Sequence, residues 1–255
     1  MNKKLALTFL ALSLMTPVAY AQTDAPSAPQ ATRSPVDAAA VQALKDMGSF
    51  LQTLQRFQVT NELTGERVLM DGQKLQHSAT AKLDVQRPNK IRVRMSSARS
   101  SREIFFNGEQ VTLFTPAQKY YSTVDFSENI GGLITKLEER YAVQLPLSDL
   151  FLWGTPQAPV DNIDSAMNAG QDFIDDDLCN HYAFRQGNFD WQIWISVGSQ
   201  PLPRKLVITN RSDEARPQSV SMIDWNLKPS FKNSVFTFTP PKGATQVELR
   251  ALDKK

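Results

Sequence analysis

Along residues 41–51 apolar positions recur at helical spacing: Val41, Leu44, Gly48 and Leu51 fall on one face. Ser34, Pro35 and Asp37 precede them as N-cap, first-turn proline and nearby acid, which predicts a helix over 36–54. From Phe57 the period drops to two. Ala81, Leu83 and Val85 alternate with polar residues. Lys90–Met95 alternates throughout, with Ile91, Val93 and Met95 on one side and Lys90, Arg92 and Arg94 on the other. This predicts strands with one buried face. Arg102–Phe106 and Gln110–Thr115 flank Asn107-Gly108, a dipeptide suited to a type I′ hairpin. Phe105 reads as inward-facing. Lys119–Val124 is one strand more. Closely linked sequential strands predict an antiparallel meander.

The period-two pattern breaks over 127–153. Leu133, Ile134, Leu137 and Tyr141 lie opposite Lys136, Glu138, Glu139 and Arg140, the signature of an amphipathic helix. Gly131-Gly132 at its start predicts a loose entry. Ser148 is placed to cap a short helix carrying Leu150, Phe151 and Trp153. Strands resume near 171–175, 178–186, 189–197, 204–210, 217–228 and 235–239. In 189–197, Phe189, Trp191, Ile193, Ile195 and Val197 share one face while Gln192, Trp194 and Ser196 share the other. Aromatics on both faces predict a strand covered on both sides. The expected fold is α+β: about eleven antiparallel strands, one helix before them and a helical insert midway, with the helices on one face. Residues 34–255 read as a single domain. Residues 22–33, rich in Ala, Pro, Ser, Thr and Gln, read as a flexible spacer.

The start of the chain bears on compartment. Lys3 and Lys4 precede an apolar run over 5–15, and Ala19-Tyr20-Ala21 is a small-x-small cleavage signal. Residues 1–21 read as a signal peptide cleaved after Ala21, which makes the mature protein an exported one. Gln22, not a cysteine, follows the cut, which argues against a lipid-anchored start. The full chain carries 28 basic and 26 acidic residues; losing Lys3 and Lys4 leaves 26 of each. A near-neutral mature chain offers no argument for nucleic acid or an anionic membrane surface. The single cysteine cannot form an internal disulfide, so packing alone must hold the core.

Few motifs suggest chemistry. GxSxG, HExxH, P-loop and GxGxxG patterns are all missing. Cys179, His77 and His181 cannot complete a Cys/His zinc site without carboxylates, and no metal or cofactor is expected. Asp175-Asp176-Asp177 lacks calcium-loop spacing and reads as a turn. Arg92, Arg94, Arg99 and Arg102 read as a solvated strand face. Cys179 and His181, two apart on a strand, point to one side. They read either as a nucleophile beside a base or as a packed thiol beside a hydrogen-bonded histidine, and the sequence supplies no third group to orient the imidazole.

"RPNKIRVRM" (87–95), the hairpin after it, "LFTPAQKYYSTV" (113–124), the helical insert and "SVFTFTPPKGA" (234–244) resemble the periplasmic lipoprotein carrier family, the LolA/LolB type, over about residues 36–245. "CNHYAFRQGNFDWQIWI" with "PLPRKLVIT" (201–209) resembles a family of predicted periplasmic proteins of unassigned function thought to share that fold. The resemblance implies a periplasmic, curved, unclosed half-barrel whose concave face is covered by lid helices, with an apolar cavity between. It implies a lipid or acylated protein as ligand. With no catalytic motif in the chain, a binding protein and not an enzyme is expected; an envelope membrane protein is a candidate partner under a sensing role, and a monomer is favoured. Ile91, Val93, Met95, Phe105, Trp191 and Ile193 would line the cavity from the sheet, and Leu133, Ile134, Leu137, Tyr141, Leu150 and Phe151 from the lid. Arg87, in the Arg-Pro-Asn segment, matches the arginine that ties sheet to lid in the carriers. Two rivals stand beside the carrier reading: an envelope-sensing module and a thiol enzyme. N-terminal sequencing of the exported protein is expected to begin at Gln22; an intact Met1 start on exported material would overturn the signal-peptide reading.

Overall fold

The computed structural model describes residues 36–251. The signal peptide, its cleavage site, the spacer and the Ser34-Pro35 start signal lie outside them. Helix α1 (Ala38–Thr53) starts at Asp37, whose carboxylate accepts the Ala39 N–H at 2.9 Å. The acid itself thus satisfies an amide left free at the helix start. Ala40, Leu44, Met47, Gly48 and Leu51 form its buried face.

Strands β1 (Arg56–Val68), β2 (Lys74–Gln86), β3 (Lys90–Ser96), β4 (Ser101–Phe106), β5 (Gln110–Thr115) and β6 (Tyr120–Asp125) form the expected meander. Helices α2 (Ile130–Tyr141) and α3 (Asp149–Leu152) follow. A second meander runs through β7 (Ser165–Ile174), β8 (Asp177–Gln186), β9 (Phe189–Ser196), β10 (Pro203–Asn210) and β11 (Gln218–Asn226). β11 pairs antiparallel with β1 and fuses the two meanders. A two-residue strand, β12 (Thr245–Gln246), adds in parallel to β6. The sheet is open and curved, in the order β12-β6-β5-β4-β3-β2-β1-β11-β10-β9-β8-β7.

Rows of apolar residues cross its inner face. Val59, Leu83, Val93 and Ile104 are in register and fully buried. Phe57, Val85, Ile91, Phe106 and Val111 make the adjacent row. Leu133, Ile134 and Leu137 of α2 pack into the same core. Each such side chain contributes roughly 1.5–3 kcal/mol through burial.

Four expectations about strands and turns change. Phe105 lies on the outer face, across from Arg92, because its neighbours Ile104 and Phe106 pair with Val93 and Ile91. Three apolar residues in succession leave alternation ambiguous there, and the partner strand settles it. The segment expected as a strand over 235–239 is instead a 3-10 turn (Asn233–Phe236). Beyond it Phe238 sits 5.3, 5.1 and 5.1 Å from Phe105, Phe114 and Tyr121, strapping the outer face. β7 begins at Ser165 rather than near 171; it is a sheet edge, so its residues need no apolar alternation. At Asn107-Gly108 only Gly108 takes a positive φ, +100°. Asn107 Oδ1 accepts the Glu109 and Gln110 amides, both at 2.9 Å, so a three-residue loop replaces the type I′ turn.

The helices meet where side chains are absent. A Cβ on Gly48 would fall 2.5 Å from the Gly154 nitrogen, and Gly154 holds φ +78°. Gln52 Nε2 donates to the Trp153 carbonyl beside this contact. Gly48→Ala is expected to lower stability by about 1–3 kcal/mol, the usual cost of overpacking. Urea unfolding checks this, and an unchanged midpoint would mean the α1–α3 approach is looser than drawn.

Candidate functional site

A groove of about 300 Å³ opens between α3 and the inner face of β9–β11. Leu147, Leu150 and Trp153 form its helix side; Trp191, Ile193, Leu206, Ile208 and Ile223 form its floor. The floor follows from strand register: Ile193 faces Leu206 and Trp191 faces Ile208 across β9 and β10. Trp191 is wedged by Phe184, ring centroids 4.2 Å apart, and meets Trp153 at 6.2 Å. Phe189, half exposed, stands on the rim with Pro159 and Pro203. Two polar residues join the lining, Asp149 and Gln186. The Gln186 amide donates to the Pro159 and Asp161 carbonyls and is thereby held in place. Asp149 opens α3 at the rim; the desolvating surroundings, and secondarily the negative charge of Glu138, push its pKa up.

Of the residues expected to line a cavity, the groove brings together Leu150, Trp191 and Ile193. Ile91, Val93 and Ile134 are instead buried in the continuous core beneath α2, and Leu133 and Leu137, buried there too, also border the cleft that Tyr141 lines at the edge of α2. Met95 packs on the margin of that core. Tyr141 borders a narrow cleft of about 200 Å³ at the far edge of α2. Phe151 turns toward Phe57, 6.3 Å away, on the other side of α3. Leu206, Ile208 and Ile223 escaped the sequence reading as lining residues. Their alternation was visible, but which strand lies under the short helix was not.

Arg87 lies at a broad, half-polar cleft bounded by α1, α2 and α3. Its guanidinium stands 5.7 Å from the Phe151 ring, and no hydrogen bond engages Nε or Nη2. Burial lowers its pKa. The hydrogen bond joining sheet to lid here is a backbone one, from Ile130 N–H to the Pro88 carbonyl at 3.0 Å. Asn129 caps α2 by accepting the Gly132 amide, so the two glycines sit within an ordered first turn rather than a loose entry. The side chain expected as a hydrogen-bonded latch is thus a cation stacked on a lid aromatic.

Cys179 and His181 share the outer face with Trp194, and no hydrogen bond joins the thiol to the imidazole. The His181 ring stacks on Trp194 at 4.0 Å with an 8° interplanar angle, and its Nε2 lies 3.0 Å from Gln192 Oε1. Lys205 Nζ stands 4.6 Å from the Trp194 ring, a cation–π contact. Cys179 is fully buried in a small cluster with Ile174, Trp194 and Val207, and its Sγ approaches the Asp177 carbonyl. Burial raises its pKa, the opposite of what a thiolate nucleophile needs. Asp175-Asp176 forms the β7–β8 turn, with Asp175 at φ +50°.

A family model described as "Predicted periplasmic protein (DUF2092)" matches residues 40–250. No curated protein matches the chain. Among solved structures, the lipoprotein LppX of Mycobacterium tuberculosis is 12% identical, with 76% of this chain and 98% of that chain covered and a TM-score of 0.48. LprF from Mycobacterium bovis is 13% identical, covering 83% and 100%, with a TM-score of 0.45. The LolA superfamily protein NE2245 from Nitrosomonas europaea is 13% identical, covering 78% and 97%, with a TM-score of 0.38. Among the described residues, no helix is long and apolar enough to cross a membrane.

The buried thiol yields a pH-dependent prediction. With its folded pKa raised, Cys179 contributes stability that is complete below the ordinary thiol pKa and is lost as pH rises through the folded value. Denaturation of the native protein is expected to lose more stability between neutral and alkaline pH than Cys179→Ser does. Iodoacetamide is expected to alkylate folded protein on the order of a hundredfold more slowly than urea-unfolded protein. Equal rates would place the thiol at the surface.

Proposed function

The chain belongs to the DUF2092 family of predicted periplasmic proteins, and from that premise we propose that it is a periplasmic lipid-binding carrier holding one acyl chain in the groove under α3. The observation that carries the reading is the groove itself, apolar at every lining position except Asp149 and Gln186. Its volume, about 300 Å³, is at the small end of ligand pockets. At about 30 Å³ per water-sized unit it holds roughly ten methylene-sized groups. At about 0.8 kcal/mol per methylene the gross gain is about 8 kcal/mol, and immobilising the chain subtracts from it. A hold of that size is reversible, as a carrier requires.

The size also narrows the cargo. One chain fits, and a bundle of several does not unless α3 moves. The α3 segment is one turn long and held to α1 through the Gly48–Gly154 approach and the Gln52–Trp153 hydrogen bond, so the groove keeps its single-chain width while those contacts hold. The reading includes export to the periplasm after cleavage at Ala21, and it assigns no catalytic step to Cys179 and His181.

Native mass spectrometry of the protein purified from periplasm without detergent, followed by solvent extraction, tests the carrier reading. A co-purifying single-chain lipid or acylated peptide is the expected result. Leu206→Trp, which fills the groove with a larger apolar side chain, is expected to weaken binding of an uncharged dansyl decylamide probe by about tenfold or more. Leu137→Ala is expected to cost about 2–5 kcal/mol of stability while leaving probe affinity in place. Unchanged binding by the Leu206→Trp protein would move the site away from the groove.

A further inference from the structure

The groove holds one charge. Asp149 is the sole ionisable residue in its lining, and none of the ion pairs among the described residues involves it. The cations nearest in sequence to the floor face away. Arg204 pairs with Asp177 and Asp224, and Lys205 lies on Trp194, on the outer face. Glu138 at the end of α2 adds a second negative charge that is felt at Asp149. An acyl chain seated on the strand floor therefore presents its polar end to an unpaired carboxylate with no cation in the lining.

We infer that the groove selects acyl or alkyl chains whose polar end is cationic or an uncharged hydrogen-bond donor, such as an amine or an amide-linked acyl group, and discriminates against chains ending in a carboxylate. The inference rests on the groove being the acyl site. The physical basis is charge complementarity. An ammonium at the rim is attracted to Asp149, whereas a fatty-acid carboxylate there is repelled. An amide N–H donates to it without carrying charge. Although protein packed on one side desolvates Asp149, its side chain is exposed at the mouth of the groove, so salt weakens the preference.

Three ten-carbon probes separate the parts of the argument: N-decylacetamide, decylammonium and decanoate, each titrated calorimetrically at neutral pH. Binding of the acetamide reports the apolar groove alone. Decylammonium is expected to bind about tenfold or more tightly than decanoate, the result of opposite signs beside Asp149. That ratio is expected to shrink in high salt. In Asp149→Asn it is expected to fall to about twofold or less, with the thermal melt confirming a folded protein; Asp149→Ser serves if the Asn variant does not fold. Decanoate binding as well as decylammonium, or a ratio indifferent to Asp149→Asn, overturns the inference while the acyl groove stands. Failure of all three probes removes the groove reading and the inference with it.

Discussion

The structure depends on one shortfall: among the described residues, three α-helices must cover the apolar face of an open twelve-stranded sheet. At about 4.8 Å per strand the sheet runs for roughly 53 Å across its width. At 1.5 Å per residue, the 16 residues of α1, 12 of α2 and 4 of α3 extend for about 24, 18 and 6 Å. Curvature closes part of the gap by bringing both halves of the sheet toward the helices. Under α2 the result is a continuous core with only a narrow cleft at its edge, in which Ile91, Val93, Ile104 and Phe106 meet Leu133 and Leu137. Under α3, one turn long, the same kind of apolar face is left partly uncovered. The groove is thus the place where helix runs out before sheet does.

That origin explains the character of the site. Its floor is ordinary inner-face sheet, so it is apolar for the same reason the core is. Its roof is a single helical turn opened by Asp149 and fixed to α1 by a backbone contact that admits no side chain at Gly48. The charge at the rim comes from the helix start, where an acid is favoured by the unpaired amides. A residue suited to starting a short helix therefore also stands at the mouth of the groove.

The outer face is organised by different means. Around β3 it is held by ion pairs, Arg92 with Glu103 and Arg94 with Asp84. Near β4–β6 the C-terminal segment crosses it through Phe238. Over β8–β10 the row His181, Trp194 and Lys205 runs in register across three strands. Each arrangement covers apolar or aromatic surface without a second layer of helices. Cys179 is buried within one of them, which is why its thiol is a packing group.

Much of the fold was legible in the sequence because strand alternation and helical spacing are local. Lys90–Met95 could face only one way once Ile91 and Val93 needed burial, and the split face of α2 was equally plain. The double-sided aromatics of β9 announced a strand covered on both faces, as Trp191 and Trp194 prove to be. Partner identity was not local. Phe105 sits in an apolar triplet with no period of its own, and only Ile91 and Val93 across the ladder turn it outward. Phe238 looked like part of a strand until the aromatics of three other strands offered it a seat. The groove lies furthest from sequence: Leu150, Trp191, Leu206 and Ile223 come from four elements and meet because β11 pairs with β1 and α3 ends after one turn. Local periodicity settled which residues must leave water; which of them meet a complete partner surface depends on the lengths and pairings of elements far apart in the chain, and so was settled only by the packed fold.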